Sequence, residues 1–146
     1  MSEEQVKNSM RAFVKAIEAR DTDKALSLCT EDATWTTPHG TFKDKGELKR
    51  YISWMNEAVA DQKVTETGIK VMAHGNSGVY EHVLSGTSDG AKWEVLAVCV
   101  YEFSGDKIQN IRTVYDRLAV AKQVAKGMLA TRAVDGIINR MERGLH

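Results

Sequence analysis

The strongest candidate for chemistry in this sequence is Asp116, which stands between an apolar run and a helix-like run. Residues 98–103 and 108–115 are strand-like and flank Gly105 and Asp106, a pair typical of a β-hairpin turn. The hairpin places Asp116 at the end of a sheet, beside a covering helix, where we expect its carboxyl group to be half-buried. Half-burial favours the protonated form of a carboxyl group, so the sequence predicts an acid/base residue here. The alternative is an N-cap for the following helix, a common role of aspartate.

Two further side chains are candidates for the same site. His82 lies on the even face of a predicted strand and would carry a second proton or donate a hydrogen bond, since histidine titrates near neutrality. Its alternative is a surface histidine. Arg112 shares a face with Asp116 if no bulge intervenes, and its guanidinium would hold an anion or a carbonyl oxygen. Its alternative is a salt bridge to Glu81 or Glu102.

Aromatic side chains are spread over the predicted helices and strands in a way that suits a pocket. Aromatic walls with a few polar tips fit a flat, small hydrophobic molecule, whereas the alternative is an ordinary core. The predicted pocket residues are Trp35, Tyr51, Trp54, Tyr80, Trp93, Cys99 and Tyr101.

Several classes of function are disfavoured. No His/Glu/Cys cluster has the spacing of metal ligands, no glycine-rich loop suits a phosphate, and no motif surrounds a serine or cysteine nucleophile. We therefore expect neither metal nor cofactor. The formal net charge is zero, which argues against a nucleic-acid partner.

No apolar run approaches the ~18 residues of a membrane span. An acidic, polar N-terminus and two cysteines in unlike contexts favour a reducing cytoplasm.

The elements that position these residues follow from periodicity. A capping box at Ser2 and Gln5 opens a helix over residues 2–19, Asp21 or Thr22 caps a second helix, and a third opens at Asp44. A short strand is predicted over 33–37, and an antiparallel meander over 64–74, 79–87, 91–103 and 107–115. Helices follow to the end, with a break at Gly127 and a second weak point at residues 135–136. The 146 residues form one α+β domain with a core at about 5–120 and a helical extension at about 117–146.

The strand over 93–103 is apolar on both faces, so we expect both faces to be covered. One face meets the helices. The outer face is predicted to form a homodimer, and the alternative is that the C-terminal helices cover it. Apolar residues of those helices would close the pocket mouth or extend the dimer contact; they are Met128, Leu129, Ile137 and Ile138.

Local motifs in this order resemble the nuclear transport factor 2-like superfamily, in its SnoaL-like branch. The matching segments cover about residues 5–120 and are EARDTDKAL (18–26), TEDATW (30–35), PHGTF (38–42), YEFSGDKI (101–108) and VYDR (114–117). The resemblance implies a curved, cone-shaped antiparallel sheet wrapped around N-terminal helices, with a pocket inside. In SnoaL-like polyketide cyclases and related hydrolases an aspartate near the end of a late strand does acid/base work, and Asp116 matches that position.

Ketosteroid isomerases of the same superfamily need a catalytic aspartate, a tyrosine and a protonated aspartate. Those positions are Thr37, Phe13 and about Cys99 here, so the resemblance does not extend to a Δ5-ketosteroid isomerase. It implies a cofactor-free isomerase, cyclase, dehydratase or hydrolase acting on a small hydrophobic carbonyl compound. The competing interpretation is a non-catalytic binding or dimerisation module, because a fold does not determine a function.

Overall fold

The computed structural model describes residues 1–145, in which helices flank a single curved sheet. The elements are α1 (Glu3–Glu18), α2 (Thr22–Ser27), β1 (Cys29–Thr37), β2 (Gly40–Lys43), α3 (Asp44–Ala58), β3 (Ala60–His74), β4 (Ser77–Ser88), β5 (Ala91–Ser104), β6 (Lys107–Tyr115), α4 (Arg117–Val124) and α5 (Gly127–Met141). The predicted α+β class, with a curved sheet and C-terminal helices, is confirmed.

Helix α1 forms for the predicted reasons. The Ser2 hydroxyl accepts a hydrogen bond from the Gln5 backbone amide, and the Gln5 side chain accepts one from the Ser2 amide, which completes a capping box. One stripe of α1 is buried against the sheet and includes Met10, Phe13 and Ile17. Asp21 caps α2, as expected, by accepting from the Lys24 amide.

The sheet has the order β2-β1-β6-β5-β4-β3. Its β3–β4–β5–β6 portion is the predicted antiparallel meander. The ladder between β3 and β4 shifts register twice, and the backbone angle φ is positive at Asp61, Gly68 and Lys70 in the same strand. Because bulges bend and twist a strand, these irregularities curve the sheet around α1.

A bulge in β6 reverses the face assignments predicted for its second half. Glu102 pairs with Asn110 whereas Phe103 pairs with Ile108, so Gln109 is the extra residue in the ladder. Each residue after the bulge therefore lies on the opposite face from the one that simple alternation predicts. Odd-numbered residues of the strand end face inward, and even-numbered ones face outward.

Two features of the sheet were not predicted. The four-residue strand β2 pairs with β1 immediately after the Pro38–His39 turn, and β1 pairs with β6 in parallel. The parallel pair joins segments 76 residues apart, so His39 comes to lie beside the end of β6.

The C-terminal helices pack unequally on this body. Helix α4 contacts β5, whereas α5 contacts α4 and leaves Leu129 and Met141 largely exposed. The break at Gly127 is confirmed, with φ of +78°. The weak point predicted at residues 135–136 does not interrupt the helix, because α5 continues through both residues. Within the described part of the chain, each helix is too short or too polar to cross a lipid bilayer.

The two faces of β5 differ in burial. Its odd-numbered residues, from Trp93 to Phe103, are buried against the helices. On the outer face Leu96 is 57% exposed and the neighbouring Val114 of β6 is 65% exposed. Neither C-terminal helix covers this outer face, so that alternative is wrong.

Candidate functional site

A cavity of about 460 Å³ lies between α1, α3, α4 and the inner face of the sheet. The walls are mainly aromatic and aliphatic, and the polar side chains are few. The lining includes Trp35, His39, Tyr51, Trp54, His82, Trp93, Cys99, Tyr101, Thr113, Tyr115, Arg117, Val120, Ala121 and Val124. Such a volume and lining are typical of a site for a small organic molecule.

Six of the seven predicted pocket residues line this cavity, and Tyr80 does not. Tyr80 is buried in the core, where its hydroxyl donates to the Glu66 carboxylate at 3.2 Å. Inside the cavity the rings meet edge to face, with the centroids of Trp35 and Tyr51 5.1 Å apart. Tyr51 stacks on Trp54, which is 47% exposed and lies at the mouth.

His82 is the buried titratable group of the cavity wall on β4. It is 4% exposed, and its Nδ1 lies 3.3 Å from the backbone oxygen of Tyr80. Because a carbonyl oxygen only accepts, Nδ1 carries the hydrogen, and Nε2 is left with a free lone pair. Burial lowers the pKa of His82, and the hydrogen bond to the Tyr80 carbonyl opposes that shift. The imidazole is therefore neutral at pH 7 and able to accept a proton.

A hydroxyl group on β6 lies near the buried thiol. Thr113 Oγ1 accepts a hydrogen bond from the Trp35 indole at 2.9 Å and lies 3.2 Å from Cys99 Sγ. Since the indole donates, the Thr113 hydrogen remains available to the sulfur or to a ligand. Burial raises the pKa of Cys99 to about 11, so the thiol is protonated at neutral pH and is a poor nucleophile.

The turn between β1 and β2 adds a polar pair that the sequence did not indicate. His39 Nε2 and the Tyr115 hydroxyl are 2.8 Å apart at the cavity mouth. Neither residue is among the site residues predicted from the sequence. The missing information is the parallel β1–β6 pairing, which brings the two together.

Asp116 is placed differently from the prediction. Its side chain is exposed and accepts hydrogen bonds from the amides of Leu118 and Ala119, at 2.9 and 3.1 Å. The expectation of half-burial is therefore wrong, and the N-cap alternative is the observed arrangement. Asp116 is not among the cavity-lining residues, because the β6 bulge directs Tyr115 inward instead.

Arg112 also lies on the outer face. Its guanidinium donates to the Glu102 carboxylate at 2.8 Å, which is one of the salt bridges considered as an alternative. The predicted shared face with Asp116 does not form a clamp on a ligand, because that face points away from the cavity. The physical reason is again the extra residue in β6.

Comparison with known proteins places this chain in a family. A family model for the SnoaL-like domain matches residues 10–111. The chain belongs to the SnoaL-like family. No curated protein matches the sequence.

Solved structures similar to this SnoaL-like protein share its fold at low sequence identity. A ketosteroid isomerase-like fold protein from Catenulispora acidiphila, in complex with trimethylamine, is 19% identical with a TM-score of 0.73, covering 79% of this chain and 90% of its own. An epoxide hydrolase of the LEH-like type from M. tuberculosis is 14% identical with a TM-score of 0.73, covering 95% and 96%. TerC, co-crystallised with polyporic acid, is 14% identical with a TM-score of 0.74, covering 84% and 99%.

The buried part of the cavity is electrically neutral near pH 7. Burial raises the pKa values of Tyr51 and Tyr101 above their usual range, and it lowers that of His82. Asp89 and Arg117 supply charges of opposite sign among the lining residues. No group of three or more potential metal ligands occurs in residues 1–145. The lining therefore favours an uncharged ligand.

Proposed function

We propose that this protein binds a small, uncharged, mainly apolar carbonyl compound and that His82 exchanges a proton with it. The observation that carries the proposal is a neutral, buried imidazole in the wall of an aromatic cavity. Ligands of the structural neighbours are small, trimethylamine in one and polyporic acid in another, which is consistent with a binding role for this cavity. Acid/base chemistry by positioned side chains is typically worth 10²–10⁴-fold in rate.

The proposed step is enolisation. His82 Nε2 takes a proton from the carbon next to the carbonyl group, so a C–H bond breaks and an N–H bond forms. The electron pair moves onto the carbonyl oxygen, where the Thr113 hydroxyl would donate a hydrogen bond to the developing charge. The imidazolium then returns the proton to the same or another carbon, which needs no oxidant, metal or cofactor. An isomerisation, cyclisation or elimination would proceed from the same enolate.

Deuterium incorporation tests this step without knowledge of the product. A panel of small aromatic and alicyclic ketones, incubated with the protein in D₂O, is analysed by mass spectrometry for exchange beside the carbonyl. We expect exchange in at least one compound that binds, and a loss of about 10²-fold or more in His82→Gln, which keeps polarity but cannot take the proton.

Asp116→Asn is the matched control. Asparagine also caps helices, so the variant changes the charge at the other candidate acid with little effect on α4. We expect unchanged exchange in this variant. Exchange that survives in His82→Gln and disappears in Asp116→Asn would contradict the assignment to His82 and would return the role to Asp116.

A second function, non-catalytic ligand binding, is favoured by one observation. Among the described residues that line the cavity, the only carboxylate is Asp89, which lies in the turn between β4 and β5. Without a buried carboxylate the cavity has fewer means of proton transfer. Ketones that bind the cavity but never exchange would favour this function over enolisation.

We further propose that the protein is a homodimer formed through the outer sheet face. That face exposes neighbouring apolar side chains on β5 and β6, including Leu96 and Val114. Exposed patches of this kind are typical of interaction surfaces.

A reducing compartment, the cytoplasm, suits the two free, buried cysteines, Cys29 and Cys99.

A further inference from the structure

A second polar centre lies at the mouth of the cavity, where the β1–β2 turn meets the end of β6. His39 lies in that turn, and Tyr115 is the last residue of β6. His39 Nε2 is 2.8 Å from the Tyr115 hydroxyl oxygen, and both residues line the cavity. The chemistry proposed for His82 does not use this pair.

Hydrogen bonds outside the pair hold the backbone of the turn that carries His39. The Arg117 guanidinium donates to the Pro38 carbonyl oxygen at 2.8 Å, and the His39 amide donates to Thr37 Oγ1 at 3.0 Å. Gly40 completes the turn with φ of +129°, a conformation that side chains with a Cβ rarely adopt. The backbone of the turn is therefore fixed at both ends of the histidine.

Aromatic contacts then orient the ring. The His39 centroid lies 5.0 Å from the Trp54 ring and 6.3 Å from the Tyr51 ring. These contacts hold the imidazole at the mouth in the arrangement that keeps Nε2 beside the Tyr115 hydroxyl. A polar pair fixed in this way is pre-organised, so binding to it costs little additional ordering.

The phenolic oxygen retains bonding capacity after it pairs with His39. If the phenol donates to Nε2, its oxygen can accept a hydrogen bond from a ligand hydroxyl. If the imidazole donates instead, the phenol hydrogen is free for a ligand carbonyl or hydroxyl oxygen. Both tautomers provide one more hydrogen bond to an oxygen of the ligand.

The pair is uncharged near neutral pH. Partial desolvation at the mouth, and then the nearby Arg117 cation, lower the pKa of the otherwise exposed His39, whereas burial raises that of Tyr115. Of the two charged residues in the described lining, Arg117 acts on His39, whereas Asp89 lies in the turn between β4 and β5. An uncharged oxygen is the best match to such a site.

We propose that the His39–Tyr115 pair binds a hydroxyl or carbonyl oxygen of the ligand. The cavity would then select small aromatic or alicyclic compounds that carry an oxygen at the end facing the mouth. This specificity rests on the proposed binding function. It is independent of proton transfer at His82.

Two probes of similar shape test the inference, 2-naphthol and naphthalene. Naphthol both donates and accepts a hydrogen bond, so it suits either tautomer, whereas naphthalene has only the apolar rings. The dissociation constants of both are measured by titration calorimetry for the wild type, the double variant His39→Phe/Tyr115→Phe and Tyr80→Phe. Tyr80→Phe is the matched control, because it removes a buried hydroxyl that does not line the cavity.

We expect the wild type to prefer naphthol by about fivefold, as one net hydrogen bond provides. The double variant, which keeps both rings but removes both polar groups, should bind the two probes equally, and Tyr80→Phe should keep the wild-type preference. An unchanged preference in the double variant overturns this inference and leaves the binding function intact. If the wild type binds neither probe, the binding function fails and the inference fails with it. Thermal unfolding of each variant confirms that the compared proteins are folded.

Discussion

At the scale of single residues, burial decides what His82 can do. A histidine on an exposed strand face would titrate near pH 6.5, but in the cavity wall the charged form is disfavoured and the pKa falls. The unfolded chain binds this proton more readily than the folded one. Protonation therefore favours unfolding as the pH falls below about 6.5, until the pH reaches the lowered pKa of the folded state.

This linkage gives a pH dependence of stability that we expect to measure. Between the two pKa values, His82 lowers the free energy of unfolding by up to about 1.4 kcal/mol per pH unit on acidification. Urea denaturation of the wild type and His82→Gln at pH 7.5, 6.5 and 5.5 isolates the contribution of His82 to the free energy of unfolding. All other titratable groups are the same in the two proteins. The wild type should lose more stability than the variant below about pH 6.5. Equal losses in both proteins would show that His82 is not held neutral by the fold.

Residue types and strand alternation predict part of the cavity lining. They selected His82 and the seven pocket residues, of which His82 and six others line the cavity. They failed after Gln109, since one extra residue in β6 inverts the inward face and exchanges Asp116 for Tyr115. A bulge depends on pairing with the neighbouring strand, which a pattern within one strand does not contain.

At the scale of elements, α4 closes the end of the cavity that β6 leaves uncovered. The β5–β6 ladder ends at the pair Ala97 and Tyr115, so the backbone of Glu94 has no strand partner on that side. The Gln123 side chain replaces the strand, because its amide donates to the Glu94 carbonyl at 2.8 Å and accepts from the Glu94 amide at 3.0 Å. This contact holds the lining residues of α4 against the sheet.

Gln123→Ala should loosen that end of the cavity. The loss of the two hydrogen bonds to Glu94 is expected to lower the free energy of unfolding by about 1 kcal/mol. This value is at the low end of what two hydrogen bonds contribute, because the bonded groups are exposed to water. Amide hydrogen exchange at Glu94 should accelerate. Lys122→Ala, at an exposed position of the same helix, is the control. Unaltered exchange at Glu94 in Gln123→Ala would be inconsistent with the proposed contact.

The elements themselves follow from local patterns, and their long-range pairings do not. The apolar stripe and capping box define α1, and the glycine-containing turns between the strands define β3 to β6. Strand β2 has only four residues and a proline just before it, so it carries too little pattern to be predicted. The parallel contact of β1 with β6 depends on packing of distant segments, and with it the His39–Tyr115 pair was missed.

At the scale of the whole molecule, the outer sheet face exposes apolar side chains that a second copy of the chain would bury. Its apolar residues lie together on β5 and β6, and the described part of the chain leaves them uncovered. We expect a mass in solution of twice the 16.2 kDa chain. Leu96→Glu places a charge on that face and should yield monomers, because a buried unpaired charge is costly.

Light scattering coupled to size-exclusion chromatography measures this directly. Lys49→Glu, at an exposed position of α3, is the control for a charge change away from the sheet. A wild-type mass of one chain, or a Leu96→Glu protein that stays dimeric, would rule out the outer-face dimer.

The cavity between the helices and the sheet is expected to bind an apolar ligand, and the proposed functions depend on this binding. Titration calorimetry with naphthalene on wild type, Ala121→Trp and Ala119→Trp tests it most directly. Both alanines lie on α4, but only Ala121 lines the cavity, so only its replacement fills the space. We predict binding by the wild type and Ala119→Trp, and at least about tenfold weaker binding by Ala121→Trp, the equivalent of about 1.4 kcal/mol. Equal affinity in the two tryptophan variants, or no binding by the wild type, would contradict the account.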